Sequence, residues 1–280
     1  MKNILLIIAA LIVLPLASNA QKWEVGLFGG GSNYMGELSD ASIVLSETHP
    51  AVGGLVRYYV NPFLTLRFAM TYGVISGTDE NATTPAKRLR NLSFRSDIFE
   101  VAFIPEFNII GFRDNHLFSP YIFAGIAGYH FNPTALYKGE WIDLQPLGTE
   151  GQGTLVYPSR KPYSLYHFSI PFGGGVKIGF NNGLNIGLEL GARKTFTDYL
   201  DDVSTTYVDQ NVLLFENGAL AAALSNRSGE LGIPIEFADG EARGSAATQD
   251  WYLFGGLTIT YTLGEGGGGM RSKRAGCPIY

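Results

Sequence analysis

The 280-residue sequence has few charges, one cysteine and, after residue 20, no long apolar run. Asp, Glu, Lys and Arg make up 16 % of the chain, against about 25 % in ordinary globular domains. The scarcity of cysteine excludes a cysteine-cluster zinc site. No stretch after residue 20 approaches the ~20 apolar residues of a transmembrane helix. The net charge of −5 argues against a nucleic-acid partner.

The first twenty residues have the pattern of a secretory signal peptide. A positive start at Met1-Lys2-Asn3 precedes 13 apolar residues over 4–16, and Ser18 and Ala20 place small residues three and one before a cut. The alternative is a membrane anchor, but 13 residues fall short of the ~20 that span a bilayer. No cysteine stands at the cut, which excludes a lipoprotein. We therefore predict a signal peptide over 1–20 and an exported chain.

Glycine and aromatic residues are abundant, and the remaining chain alternates between apolar and polar positions. It contains 36 glycines and 13 % aromatics. Residues 64–72, 184–191 and 251–263 alternate clearly, and 22–32, 51–60, 98–109, 119–131 and 165–180 alternate more weakly. Most of these segments approach or exceed the ~9–11 residues with which a tilted strand crosses a bilayer. The pattern predicts eight membrane-crossing strands.

Short and long connections alternate strictly between these strands. The short ones lie at 60–63, 111–116 and 181–183, and the long ones at 33–50, 74–97, 132–164 and 194–250. Outer-membrane barrels have short periplasmic turns and long outer loops. We therefore predict an all-β fold: residues 21–263 form an eight-stranded antiparallel transmembrane β-barrel of the small outer-membrane protein type, with long extracellular loops. Both mature termini then lie in the periplasm, and 264–280 is a flexible periplasmic tail. We also expect a short helix within 204–249.

The two faces of the strands differ in charge. The face predicted to point outward carries no charge; it comprises Trp23, Val25, Leu27, Phe103, Phe107, Phe123, Ile170, Phe172, Val176, Ile178, Leu188, Leu257 and Ile259. The face predicted to line the lumen carries four basic and four acidic residues, namely Glu24, Arg57, Arg67, Glu100, Glu106, Lys177, Glu189 and Arg193. Because an eight-stranded barrel has room only for side chains, we interpret this set as a packed charge network; the alternative is a selectivity-lining channel. Aromatic residues near strand ends suit an interfacial girdle, namely Tyr58, Tyr59, Tyr72, Tyr121, Tyr129, Trp251 and Tyr261.

No catalytic, cofactor or metal motif is present, and we expect neither an enzyme nor a cofactor. The histidines lack zinc-site spacing. A lipid-modifying barrel enzyme would need His130 or His167 paired with a loop serine. Asp198, Asp201 and Asp202 form an acidic cluster that could take calcium, but their spacing fits no EF-hand, and we favour a solvated loop.

The predicted tail carries a basic arm and the cysteine. Residues 264–269 are glycine-rich and predict a flexible linker. We predict a partner-binding role for the residues after it, namely Arg271, Lys273, Arg274 and Cys277. An unpaired cysteine in an exported protein suggests an intermolecular disulfide or a reactive thiol; the alternative is a free, disordered end.

Several segments resemble a known family. They are GGGSNYMGEL (29–38), RNLSFRSDI (90–98), FSPYIFAGI (118–126), LQPLGTEGQG (144–153) and GARKTFTDYLDDVS (191–204). Together they resemble the PorG-like outer-membrane barrel family of Bacteroidota, a component of the type IX secretion system, over nearly the whole mature chain. The resemblance implies a non-catalytic barrel in outer-membrane lipid, associated with the periplasmic ring formed by a lipoprotein and its partner protein. That system exports proteins and, in gliding species, adhesins. The alternative from the binding class is a surface adhesin or receptor barrel.

Overall fold

The computed structural model describes residues 23–39, 43–112, 117–180 and 182–263. The predicted signal peptide and tail lie outside these residues, and so do the predicted tail residues Arg271, Lys273, Arg274 and Cys277. The described strands are β1 (Trp23–Met35), β2 (His49–Tyr59), β3 (Leu64–Thr78), β4 (Ser93–Asn108), β5 (Phe118–Ala124), β6 (Ile126–Tyr137), β7 (Glu140–Asp143), β8 (Tyr166–Gly179), β9 (Leu184–Thr195) and β10 (Trp251–Thr262).

The strands close into a ring with eight antiparallel crossings, as predicted. Strands β1 to β4 pair in sequence, β8 to β10 pair in sequence, and β10 pairs with β1. Between β4 and β8, strands β5 and β6 together form one crossing, because both pair with each of these neighbours. The interruption between them lies at Gly125, where an added Cβ would be 2.3 Å from the Phe103 carbonyl oxygen. Only glycine allows the two backbones to approach this closely.

The strands extend further into the long connections than the sequence predicts. Strand β3 pairs with β4 up to Thr78 and Ser93, so most of the predicted loop 74–97 is an ordered hairpin. A second hairpin, β6 with β7, occupies part of 132–164. The inward face of the β3–β4 extension is largely apolar: Ile75, Phe94 and Ile98 are buried beside Ser96. That apolar face gives the protruding strands a core to pack against.

The short connections gather at the opposite end of the barrel. The turn after β2 is closed by the Val60 N–H, which donates to the Leu64 carbonyl. The turn before β9 uses Gly183 at φ 88°, a conformation that favours glycine. The Leu263 N–H donates to the Trp23 carbonyl at 2.8 Å. Both ends of the described barrel therefore lie at this short-turn end.

The long connections fold into a compact cap at the other end. Its helices are α1 (Pro85–Arg90), α2 (Gln210–Val212), which continues as a wider helical turn over Leu213–Asn217, and α3 (Ala219–Ser225). The expectation of a short helix within 204–249 is confirmed. One apolar cluster joins the cap to the barrel interior: Leu144, Leu200 and Leu224 pack with Tyr252 and Phe254. Among the described residues, no helix is long and apolar enough to cross a membrane.

Candidate functional site

The structure places all eight charged residues assigned to the lumen inside the barrel. Their strands alternate with period two, so one face of each strand points to the axis. Each of the eight is at most 9 % exposed: Glu24, Arg57, Arg67, Glu100, Glu106, Lys177, Glu189 and Arg193. Ion pairs connect them in two groups.

Glu106 is the centre of the first group. Its carboxylate lies 2.9 Å from Arg57 Nε, 3.2 Å from Arg67 Nε and 3.1 Å from Lys177 Nζ. Arg57 also reaches Glu24 at 2.7 Å, and Arg67 reaches Glu189 at 2.5 Å. Every cation of this group therefore has a carboxylate partner, as buried charges require.

Aromatic rings complete the surroundings of Lys177. Its ammonium lies 4.8 Å from the ring centre of Tyr121, 5.1 Å from that of Phe112 and 5.5 Å from that of Tyr59. Rings at this distance attract a cation through their negative faces. The Tyr121 hydroxyl also donates to Glu189 at 2.7 Å. These rings therefore stabilise the charge network from inside the barrel.

The second group lies nearer the cap and joins Arg193 to Glu100. Two guanidinium nitrogens each donate to the carboxylate at 3.2 Å, and the Tyr252 hydroxyl donates to it at 2.7 Å. The Arg193 guanidinium also stacks 4.6 Å from the ring centre of Phe254. This fork geometry makes a two-point contact.

The interior between the two groups is filled. A cavity of about 10 Å³ lies among side chains that include Phe28, Leu55 and Arg67, which is about the space of one water. Above it the rings of Tyr129 and Tyr252 meet edge to face at 5.4 Å. This packing favours the charge network over the channel alternative.

An uncovered apolar belt surrounds the barrel. Phe99, Phe103 and Phe107 on β4 are 44–52 % exposed, and Leu188 on β9 is 55 % exposed. The eight-residue step from Phe99 to Phe107 rises by about 20 Å for a strand tilted by ~40°. That height approaches the ~25 Å apolar band of membrane barrels. Among the described residues of β4, outward charge begins only at Asp97, on the cap side of the belt.

Four aromatic residues point the other way from the prediction. Phe123, expected on the outward face, is 5 % exposed, and its ring centre lies 4.8 Å from the Arg67 guanidinium. Tyr59, Tyr121 and Tyr129, expected in the girdle, are also inside the barrel. Strand phase decides the side. Phe123, Tyr59 and Tyr121 pack against Arg67 or Lys177, and Tyr129 packs against the rings of Phe131 and Tyr252.

A second charged cluster holds the cap together. Glu150 is fully buried and accepts from Arg243 at 3.0 Å and from the backbone N–H groups of Ser204 and Thr205 at 2.9 and 3.0 Å. Arg243 also lies 3.7 Å from the Asp202 carboxylate. These contacts join the connection before β8 to the one before β10. The sequence carried no signal for this pair, because its members are 93 residues apart in irregular loops.

The acidic segment after β9 is buried, so the expectation of a solvated loop is wrong. Asp198 is 8 %, Asp201 1 % and Asp202 0 % exposed. The cap closes over them, and burial raises the pKa of Asp202 to about 6. Burial and the neighbouring Glu37 raise the pKa values of Asp198 and Asp201 to about 8.

Asp198 meets two carboxylates that the sequence reasoning missed. Oxygen atoms of Glu37, Asp198 and Asp250 all lie within 4.8 Å of one another. Asp201 and Asp202 are not members of this set. The only sequence signal for Glu37 and Asp250 is their position at the ends of strands β1 and β10, which are neighbours in the barrel.

His130 and His167, the histidines considered for catalysis, have other contacts among the described residues. His167 Nε2 lies 2.9 Å from the Ser164 carbonyl oxygen, and His130 packs against the Tyr166 ring at 4.7 Å. His49 Nε2 does lie 2.8 Å from Ser76 Oγ. In this arrangement the Ser76 hydroxyl donates to Glu47, so its one proton is directed away from the imidazole.

Comparisons with known proteins identify one family and several similar folds. The family described as "Domain of unknown function (DUF6089)" matches residues 2–145. No curated protein matches the chain. Neisserial surface protein A (NspA) is 8 % identical, with a TM-score of 0.42 over 86 % of this chain and 97 % of that chain. The N-terminal β-barrel domain of Pseudomonas aeruginosa OprF is 10 % identical, with a TM-score of 0.35 over 86 % and 98 %. The attachment invasion locus protein Ail of Yersinia pestis, solved with the heparin analogue sucrose octasulfate, is 10 % identical, with a TM-score of 0.37 over 86 % and 98 %.

Proposed function

The chain belongs to the DUF6089 family, whose description gives no function, and from the barrel it forms we propose that it is a non-enzymatic outer-membrane component of the type IX protein secretion system. In this role it contacts the periplasmic ring formed by a lipoprotein and its partner, and it supports protein export and, in gliding species, motility. The short-turn end faces the periplasm, and the cap faces the outside.

The apolar belt carries the assignment to the membrane. Side chains such as Leu27, Ile126 and Ile259 are 56–69 % exposed on strands whose other face buries charges. A continuous apolar surface of this size is unfavourable in water. In a bilayer the same surface is buried in hydrocarbon, and the closed ring satisfies every strand edge. Lipid of the outer membrane is therefore the first partner.

The filled interior supports a structural role. The lumen contains four basic and four acidic side chains that pair with one another, and the cap packs over the mouth. The side chains of the described residues therefore block the barrel axis at Glu106 and Arg193. We infer that the protein serves export by contact with other components, as the resemblance of its loop segments to the PorG-like family implies.

The short-turn end offers a firm surface for the periplasmic ring. Phe63, Ile109 and Phe180 are 43–56 % exposed there. Two turns are bonded to each other: the Asn108 N–H donates to the Phe63 carbonyl at 2.7 Å, and the Phe112 N–H donates to the Pro62 carbonyl at 3.0 Å. Apolar side chains on such a braced edge suit a protein partner. The basic tail would add contacts from the same end.

Co-purification with the ring tests this function. We expect deletion of 264–280, and separately Phe63→Ser with Ile109→Ser, to weaken co-purification from gently solubilised membranes while the barrel still inserts. The matched control is Leu155→Ser with Leu231→Ser, which removes two exposed apolar side chains from the cap. Mass spectrometry of the eluates identifies the ring proteins. Unchanged recovery of the ring with both the deletion and the turn variant would overturn the proposal.

The tail cysteine makes a separate claim within this function. If Cys277 forms a disulfide with a periplasmic partner, non-reducing electrophoresis of native membranes shows an adduct that Cys277→Ser removes. An adduct pattern identical in both proteins contradicts the disulfide and leaves the non-covalent contact to be judged by co-purification.

A surface adhesin or receptor is the second candidate, and the tip of the cap favours it. Leu155 and Phe215 are 88 % and 91 % exposed. The two segments are adjacent, because the Leu155 N–H donates to the Glu216 carboxylate at 2.5 Å. Exposed apolar side chains at a loop tip suit ligand binding. Leu155→Ser with Phe215→Ser that spares secretion but abolishes binding to a surface ligand would favour this role.

A further inference from the structure

Four carboxylates from three segments meet where the cap joins the barrel. Glu37 follows β1, Asp198 and Asp201 follow β9, and Asp250 precedes β10. These strands are neighbours, since β10 pairs with β1 on one side and with β9 on the other. Their cap-side ends therefore bring the four acidic groups together, although they are up to 213 positions apart in the sequence.

One hydroxyl is shared between two of these carboxylates. The Tyr34 oxygen lies 2.6 Å from Asp201 Oδ2 and 2.8 Å from Asp250 Oδ1. A phenol has one proton to donate, so it can satisfy only one of the two. The backbone N–H groups of Val203 and Leu200 each serve the other oxygen of one carboxylate at 2.9 Å. The contact with Tyr34 thus needs an additional positive charge, from a proton or a cation.

Asp198 has fewer hydrogen-bond donors around its carboxylate than Asp201 or Asp250. It is 8 % exposed, and neither of its carboxylate oxygens accepts a hydrogen bond. The Ser204 hydroxyl is close enough to reduce the upward shift in the pKa of Asp198, but it is not in a geometry to donate a hydrogen bond. Glu37 uses one oxygen to accept from the Ser245 N–H at 3.1 Å, while its other oxygen is buried and unpartnered. The unpartnered oxygens belong to residues that lie within 4.8 Å of each other and of Asp250.

Two basic side chains near the cluster have contacts of their own. Arg90 holds both oxygens of Asp79 at 2.7 Å. Lys87 Nζ donates to the backbone carbonyl of Glu37 at 2.9 Å. The Arg90 guanidinium is thereby committed to Asp79 as its ion-pair partner. Burial, together with repulsion from Asp201 and Glu37, holds the pKa of Asp250 well above its usual range.

From these contacts we propose that Glu37, Asp198 and Asp250 bind a calcium ion that fastens the cap to the strand ends. Oxygen atoms on opposite sides of Ca²⁺ are about 4.6–5.2 Å apart, from bonds of 2.3–2.6 Å, so a set within 4.8 Å fits around one ion. Carboxylates are the ligands that Ca²⁺ prefers, and its six to eight positions tolerate irregular loops. Zinc favours nitrogen and sulfur ligands, which this set lacks.

The backbone at Gly36 is adapted to the same place. A Cβ there would lie 1.9 Å from Asp250 Oδ1 and 2.0 Å from the Tyr34 hydroxyl. Glycine therefore lets the end of β1 approach Asp250 and positions the next residue, Glu37, beside Asp198. An ion bound here links β1, β9 and β10 at the rim and orders the two connections that carry its ligands.

Terbium luminescence tests the site in the full mature chain. The protein is refolded into detergent free of lipopolysaccharide, which itself binds Ca²⁺, and is stripped with a chelator. Tb³⁺ is then titrated with excitation of tyrosine, because Tyr34 contacts two carboxylates of the cluster. We expect saturable emission that Ca²⁺ displaces at or below about 1 mM, the range of extracellular calcium modules.

Two variants decide the outcome. Asp198→Asn should weaken Ca²⁺ competition at least tenfold, whereas Asp239→Asn, an equal charge change at an exposed cap residue, should leave it unchanged. Heat-modifiable electrophoretic mobility verifies that each variant is folded, and Glu37→Gln replaces Asp198→Asn if the latter does not fold. Emission that Ca²⁺ does not displace, or equal competition in the wild type and the folded site variant, overturns the proposal and leaves a cluster neutralised by protons alone.

Discussion

Removal of the Glu106 charge should destabilise the barrel more than any other single change in the lumen. Glu106 is fully buried and lies 2.9–3.2 Å from Arg57, Arg67 and Lys177. Glu106→Gln keeps the shape of the side chain but leaves four buried cations against three carboxylates. Each contact is worth about 5 kcal/mol before desolvation is counted, at 3 Å and an effective dielectric constant of ~20. Measured net losses for one partner of a buried pair are about 3–5 kcal/mol, which is the loss we expect.

A compensating change separates charge from packing. Lys177 forms its ion pair with Glu106 and otherwise lies among aromatic rings. Glu106→Gln with Lys177→Met restores neutrality and places a flexible apolar chain among those rings. We expect the double variant to recover at least half of the loss. The matched control is Glu140→Gln at the exposed tip of the β6–β7 hairpin, which should unfold like the wild type.

Urea titration of the folded protein in lipid vesicles measures these differences. Tryptophan fluorescence and electrophoretic mobility follow unfolding, and linear extrapolation gives the free energy. A loss under about 1 kcal/mol for Glu106→Gln would show that water or lipid screens the interior, against the typical cost of an unpaired buried charge. A double variant no more stable than the single one would show that the lost contact was not electrostatic.

Three further changes test the outer surface and the cap. Leu188→Arg in the apolar belt should cost about 2–4 kcal/mol in vesicle unfolding, whereas Leu155→Arg at the cap tip should leave the midpoint unchanged. Arg243→Met leaves the buried Glu150 and Asp202 without their cation, so proteases should cut the cap while the barrel stays folded; an uncut cap would contradict the pairing. Burial raises the pKa of Asp202 to about 6, above its unfolded value of about 4, so the folded cap binds this proton more tightly. The Asp202 contribution to cap stability, followed by hydrogen exchange, should be fully present below pH 4 and be lost, by about 3 kcal/mol, as the pH rises to about 6. Asp202→Asn should remove this part of the pH dependence and leave the part due to Asp198 and Asp201, whose pKa values are about 8.

The barrel could be predicted from the sequence because it repeats one local rule. A charge on a lipid-facing position costs about 2–4 kcal/mol for Arg or Lys. The alternation of residues along each strand therefore shows which face points to lipid and which to the lumen. This alternation predicts Arg57, Glu106 and Lys177 to lie in the lumen, although it does not show which residues they pair with. The predicted side was wrong for Tyr59 and Phe123, whose strand phase points them into the barrel. An aromatic ring packs favourably against lipid and also against a guanidinium, so residue type alone does not identify its face.

The cap could not be predicted, because its contacts obey no period. Glu150 and Arg243 pair across two irregular connections, and Asp250 contacts Tyr34 because the first and last strands of the barrel are neighbours. The topology of the barrel brings such partners together from distant parts of the chain. A loop sequence rich in Asp and Gly has the same composition whether it is solvated or buried. Asp202 illustrates this, since the expectation of a solvated loop fails at a fully buried residue.

The two acidic environments differ in charge balance, and this difference separates architecture from ligand chemistry. In the lumen each of the four carboxylates is paired with an arginine or lysine, so their negative charge is balanced by side chains of this chain. At the rim, Asp198 and Glu37 keep buried oxygens without a donor. Burying an oxygen without a hydrogen-bond donor destabilises the folded state. A calcium ion bound from the surrounding medium would offset this cost where the cap joins the barrel. The order of the cap would then depend on the calcium concentration of the medium that the cap faces.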